Sequence, residues 1–311
     1  MTMLPDNLLE RVEIFHGEAT PAVARLYVRL DTDNSQSGWS LAGQVKGPYR
    51  TDAHTLPATT PLVPCAAGES LLAMAVIPDP CAWTPETPSM YQLDLQLHVP
   101  QERVMERQIV TGIRGLGARG PNLFRHGKRW VVRALESPTG EITNWTAWQS
   151  NASMMVVDPV TETLVTEAFL SQASKMGVPL VVKLPPSLQK MESLLCDISY
   201  WPAVSVVYVD TGSPMIVEPQ RRFPNLLFAE RFCGNQKILP APWAQLVLCD
   251  VQSVEEFSMA ISDCRETSPI VAVREIVQET SFEGVRSECD QLQRDLAGVL
   301  DCAGYLVLKQ G

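Results

Sequence analysis

Eight short apolar runs, at residues 130–135, 154–157, 180–182, 204–209, 226–229, 245–249, 270–273 and 305–308, most constrain what this chain can fold into. Their cores are continuously apolar, so each reads as a strand buried on both faces, as in a parallel sheet wrapped by helices. Helical patterns lie between them at 161–176, 187–196, 253–265 and 282–300. Gly177 stands where a C-cap glycine belongs, and Ser253 with Glu256 makes a capping box. Eight strands so interleaved predict a (β/α)8 TIM barrel. Residues 213–224 and 232–243 are too rich in Pro and Gly for helices, so those after the fourth and fifth strands should be absent or single turns. The eighth run is apolar at every position and almost ends the chain. Its faces need cover, which the first domain or a second copy in a homodimer is expected to supply. With about 190 residues against roughly 250 for the usual barrel, the loops should be short and the mouth shallow.

Ahead of the barrel the pattern changes. Residues 11–15, 23–30, 39–45, 70–77, 91–99 and 104–110 are β-rich runs separated by Gly, Pro, Asp and Asn. In 26–30 and 93–97 apolar and polar residues alternate, as when one face meets a core and the other meets water. The expected architecture is an N-terminal immunoglobulin-like β-sandwich at 1–117 followed by a small, partly degenerate barrel at 118–311.

Composition narrows the function classes. With 45% apolar and 19% charged residues the chain is ordinary globular protein, and a net charge of −10 argues against nucleic acid, which needs clustered Lys and Arg. Eight cysteines without a Cys-x-x-Cys pair read as buried thiols in a reducing compartment. No run reaches membrane-spanning length and residues 1–19 lack the pattern of a leader, so a cytoplasmic protein off the membrane is expected. No phosphate loop, dinucleotide fingerprint or calcium loop is present, and no cofactor or metal is expected. Histidines end at His126, which removes a Ser-His-Asp centre and most zinc sites from the barrel. His16, His54 and His98 lack carboxylate company and read as surface or strand-edge residues.

Between the two halves, Trp83, Pro85, Pro88 and Tyr91 are followed by Gly112-Ile113-Arg114 and then by Phe124, Gly127 and Lys128. This pattern resembles the family-two glycoside hydrolases, the β-galactosidase, β-mannosidase and β-glucuronidase group. The resemblance has motif support over about residues 75–210 and rests on strand order elsewhere. It implies the sandwich-then-barrel order, a carbohydrate as substrate or ligand, and a retaining mechanism with a Glu acid/base after the fourth strand and a Glu nucleophile after the seventh. The jelly-roll domain that the family places ahead of its sandwich does not fit into residues 1–9, so the chain reads as truncated.

The catalytic motifs depart from that pattern. Counted from Pro202, Gly212 falls at the acid/base; counted from Pro269, Arg274 falls at the nucleophile, with Glu275 one step on and expected to face away. The chain therefore also reads as catalytically degenerate. Glu136, Asp158, Lys183, Asp210, Glu230, Asp250 and Arg274 fall at strand ends. They make either a rim of mutually paired charges or, with Asp210 and Glu275 as relocated carboxylates, an active O-glycosidase site. Asp158, Lys183, Glu230 and Arg274, with Trp145 and Trp148 as stacking platforms near the mouth, are the candidate binding residues, although packing is the preferred reading of the two tryptophans. The expected function is a glycoside-hydrolase-like protein without hydrolytic chemistry, acting as a sugar-binding or assembly module.

Overall fold

The structure, a computed structural model, describes residues 8–17, 19–31, 38–67, 70–99, 103–137, 144–159, 165–234, 238–277, 281–298 and 300–310. Its first part is one antiparallel sheet curled into a sandwich. The strands are β1 (Glu13–His16), β2 (Val23–Asp31), β3 (Ser40–Tyr49), β4 (Ala58–Ala67), β5 (Ser70–Pro78), β6 (Met90–Val99) and β7 (Arg103–Thr111), in spatial order β1-β2-β5-β4-β3-β6-β7. The curl comes from β4, which pairs with β3 through Leu62 and with β5 from Val63 onward. The sequence pattern misses this strand because Pro61 and Pro64 break its run. The period-two alternation in β2 and β6 buries Leu26, Val28 and Leu30 against Leu93, Leu95 and Leu97. Each such side chain contributes roughly 1.5–3 kcal/mol when fully removed from water.

A three-stranded antiparallel sheet follows: β8 (Leu116–Arg119), β9 (Asn122–Arg125) and β10 (Lys128–Trp130). His126 and Gly127 turn the second hairpin, both at positive φ (49° and 74°), as a two-residue turn that matches strand twist requires. Leu123 of β9 is fully buried in the barrel's interior cluster, where this sheet closes the N-terminal end.

The barrel closes in sequence order, every pairing parallel: β11 (Val132–Glu136), β12 (Met154–Val157), β13 (Leu180–Lys183), β14 (Val204–Asp210), β15 (Leu227–Phe232), β16 (Leu246–Asp250), β17 (Ile270–Ile276) and β18 (Gly304–Lys309). All eight apolar runs are strands, and the fold class is the one the sequence implies. At the seam a Cβ on Gly304 would stand 2.6 Å from the Val132 side chain, so β18 can approach β11 only as glycine. Helices α1 (Trp145–Ser150), α2 (Glu167–Met176), α3 (Leu188–Ile198), α4 (Pro219–Arg222), α5 (Val254–Ala260) and α6 (Phe282–Leu296) cover the outside. Helix α4 is the expected single turn, α5 stops short of the expected 265, and no helix follows β15 among the described residues. Ser253 and Ser281 cap α5 and α6 through their side chains, and Gly177 ends α2 in the left-handed conformation.

One expectation is corrected here. The outer face of β18, Tyr305 and Val307, is buried with Val285, Leu292 and Leu296 of α6. The helix preceding the strand supplies the cover that was expected from the first domain or a second copy.

The motif residues form the joint between the two parts. Trp83 Nε1 donates to the Ser174 carbonyl of α2 at 2.9 Å, and Thr111 Oγ1 donates to the Tyr200 carbonyl at 2.6 Å. The buried Arg114 guanidinium donates to the carbonyls of Ser199 (3.0 Å), Trp201 (2.7 Å) and Val204, all in the connection from α3 into β14. Asn225 continues the joint by exchanging two hydrogen bonds with the main chain of His16, at 2.8 and 3.0 Å. Buried Glu13 binds Arg29 of the sandwich and Arg222 of the barrel.

Candidate functional site

The C-terminal mouth of the barrel is built by strand parity. Ala134, Val156, Val181, Tyr208, Ala229, Leu248 and Val273 all belong to the interior cluster. Two residues further along each strand, on the same face, stand Glu136, Asp158, Lys183, Asp210, Arg231, Asp250 and Glu275. Seven consecutive strands thus end in a ring of five carboxylates and two cations above an apolar interior, with buried Leu308 in the eighth place.

Arg231 is the hub of this ring. Its side chain is only 8% exposed and grips Asp250 with two parallel hydrogen bonds of 3.0 Å, while Nη2 also reaches Glu275 Oε1 at 2.5 Å. Its Nη1 lies 3.9 Å from Asp210 Oδ1, an enclosed oxygen with no hydrogen-bond partner among the described residues. Lys183 Nζ stands 3.4 Å from Asp210 and 3.8 Å from Asp158. Burial opposes the charge on Arg231, but the Asp250 and Glu275 hydrogen bonds outweigh it and raise its pKa above the ordinary value. Glu136 accepts from the Lys309 N–H at 2.8 Å. Burial, aided by the charge of Asp158, raises its pKa, and the Lys309 hydrogen bond and Lys183 pull it back only in part.

Two candidates change faces. Arg274, placed by counting at the nucleophile position, points out of the barrel and pairs with Asp295 (2.7 Å) and Glu288 (3.6 Å) of α6. Glu275, expected to face away, points into the mouth. The count from Pro269 assigned the wrong face because β17, apolar on both sides, gives no alternation to set it. Glu230 also faces outward: Thr211 Oγ1 and the Ala241 N–H donate to its two oxygens, each at 2.8 Å, tying the segment after β15 to the strand. Its neighbour Arg231, which sequence reasoning missed, takes the inward place. Gly212 lies in the turn after β14 at a φ of 77°, and an added Cβ there would meet nothing within 4 Å.

The tryptophans are not an open platform. Trp148 is 4% exposed and packs edge-on against Phe282 of α6 at 4.8 Å, while Trp145 lies 5.5 Å from Phe169 of α2. Both belong to the layer between helices and barrel. Asp158, Lys183, Asp210 and Glu275 do meet at the mouth, in the ring with Arg231. Residues 138–143, 160–164, 235–237 and 278–280, in the connections that follow β11, β12, β15 and β17, lie outside the described residues.

Among the described residues, no group of three or more His, Cys, Asp or Glu is arranged to hold a metal ion, and no helix is long and apolar enough to cross a membrane. A cavity of about 880 Å³ lies not at the mouth but at the other end, between the sandwich and the β8–β10 sheet. His16 borders it, at the end of edge strand β1 as expected, but with its side chain buried rather than at the surface.

No family model and no curated protein matches the chain. Solved structures do. A β-glucuronidase from Bacteroides uniformis superposes with a TM-score of 0.61 at 12% identity, over 96% of this chain and 45% of that enzyme. A glycosyl hydrolase family 2 member from Bacteroides cellulosilyticus gives 0.63 at 10% identity, over 96% and 43%. A Parabacteroides merdae β-glucuronidase gives 0.60 at 12% identity, over 96% and 46%. The chain thus spans less than half the length of these enzymes, at identities that speak for the fold alone. What the sandwich, the Arg114 joint and the closed eight-stranded barrel add up to is the fold of the family-two glycoside hydrolases.

Proposed function

We propose that this chain is a glycoside-hydrolase-like protein that has kept the scaffold and exchanged glycosidase chemistry for a carbohydrate-binding or assembly role at the barrel mouth. The observation that carries this reading is Arg231. A retaining glycosidase needs two carboxyl groups about 5 Å apart with open space between them for the anomeric carbon. Here the two candidates, Asp210 and Glu275, face each other through a guanidinium that holds Glu275 at 2.5 Å and stands 3.9 Å from Asp210. Arg231 is itself locked in place by Asp250. A group permanently charged at any working pH neither gives a proton nor attacks. Polar groups fixed around a ring suit recognition of sugar hydroxyls, and the net charge of −10 suits a neutral ligand.

A second reading has its own support. Asp210 and Glu275 come from the fourth and seventh barrel strands and both face inward, so a retaining O-glycosidase with Arg231 as positioning residue remains an alternative. Turnover of aryl-glycosides separates the two. The first reading expects none above a heat-treated control, together with sugar binding that Asp210→Asn weakens. Turnover that disappears in both Asp210→Asn and Glu275→Gln establishes the second instead.

A further inference from the structure

The cavity at the joint has a chemical character unlike the rest of the chain. The sequence carries 35 acidic against 25 basic residues, yet among the described residues no Asp or Glu lines this space of about 880 Å³. His16, Arg114 and His126 are among them. Glu18, between the lining residues Gly17 and Ala19, lies outside the described residues.

The Arg114 guanidinium is fully buried, and its hydrogen bonds all go to main-chain carbonyls. Those dipoles engage three of its five N–H donors but do not cancel its charge. An unbalanced buried cation costs several kcal/mol unless a counter-charge comes near. The His16 imidazole beside it feels that charge, and His126 lines the same space. His16 accepts the main-chain N–H of Arg114 at Nε2 (3.1 Å) and donates from Nδ1 to the Gly17 carbonyl (2.9 Å), which fixes it as neutral with both nitrogens used.

His126 is different. Its Nε2 donates to the Trp83 carbonyl at 3.2 Å, and Nδ1 has no hydrogen-bond partner among the described residues. That edge lies against Gly115, where an added Cβ would stand 3.1 Å from Nδ1, and the His126 side chain is exposed where it lines the cavity. Burial, together with Arg125, lowers the His126 pKa, partly offset by the Trp83 carbonyl and by Glu86, itself paired with Arg125 at 3.3 Å.

We propose that this cavity is a binding site for a small oxyanion, held by the His126 imidazole in the field of the buried Arg114. An anion accepts a hydrogen bond only from a protonated Nδ1, so one proton is taken up from solvent onto His126 as the anion enters, and none is transferred to the ligand. The site is therefore expected to bind more tightly as pH falls.

Sulfate is the probe, because its charge stays constant across the range in which histidine titrates. The chain has four histidines, so each imidazole C–H signal can be followed by NMR in the intact protein. At about pH 6, sulfate against sodium chloride of equal ionic strength is expected to move the His126 signals, saturating near about 1 mM or below. The signals of His54 and His98, outside the cavity, stay still. Affinity is expected to fall about tenfold or more by about pH 8. His126→Asn keeps a residue that tolerates positive φ in the turn and removes the imidazole, so the response should vanish. An equal response to chloride, a response confined to high concentration and shared by all four histidines, pH-independent affinity, or an unchanged response in His126→Asn would each overturn the assignment. The wild-type titration alone decides the matter should the variant not fold.

Discussion

Replacing Arg231 by Met tests whether the mouth is held together by its hub. Met fills much of the same volume without charge, leaving Asp250, 15% exposed, without its bidentate partner, while Glu275 and Asp210, 39% and 40% exposed, turn to water. Removing one partner of a buried pair costs about 3–5 kcal/mol. Because two of the three carboxylates are partly solvated, the lower end applies, about 3 kcal/mol. For a chain of about 300 residues melting as one unit that lowers the midpoint by roughly 5 °C, read by calorimetry with urea titration as a second measure. In Arg231→Met/Asp250→Leu no charge is stranded between those two positions, and most of the loss should return. A single variant that loses less than about 0.5 kcal/mol, or a double variant as unstable as the two single losses added together, refutes the hub.

Further outcomes follow from the joint. Burial lowers the His16 pKa from 6.5 to about 4, with Arg114 and His126 adding to the effect and the Gly17 carbonyl opposing it. The unfolded chain therefore takes up the proton first: stability is full above pH 6.5 and falls as pH drops toward 4, by about 3 kcal/mol for this group alone, measurable as a shifting urea midpoint. Gly177→Ala places a Cβ at a φ of 68° and 2.4 Å from the Pro85 carbonyl oxygen. It should cost about 1–3 kcal/mol and speed protease cleavage near Pro85. Trp83→Phe strips the Ser174 carbonyl of its side-chain donor and should cost about 1–2 kcal/mol, again by urea titration.

The barrel was legible because eight apolar runs and their spacing survive any uncertainty about which way a side chain points. The joint was legible because Trp83, Gly112 and Arg114 are irregular enough to stand out. Parity at the mouth was not. In β15, buried at all six positions, nothing in the pattern chooses between Glu230 and Arg231, and β17 leaves the same ambiguity between Arg274 and Glu275. Strands wetted on one face carry that information as alternation, whereas strands enclosed by helices on one side and barrel on the other receive it from closure. Strand β4 failed for a different reason. Its prolines remove ladder donors and make it read as a loop, while its place between two halves of a curled sheet holds it extended.

The way Arg114 is used bears on how the chain folds. Three acceptors in the approach to β14 find their donors only when the sandwich's last linker residue threads in beside them, so neither half reaches its native hydrogen-bonding complement alone. Cutting between the halves would leave one with a guanidinium seeking water and the other with thirsty oxygens. The two cores are thereby tied into one cooperative melting event rather than two independent ones.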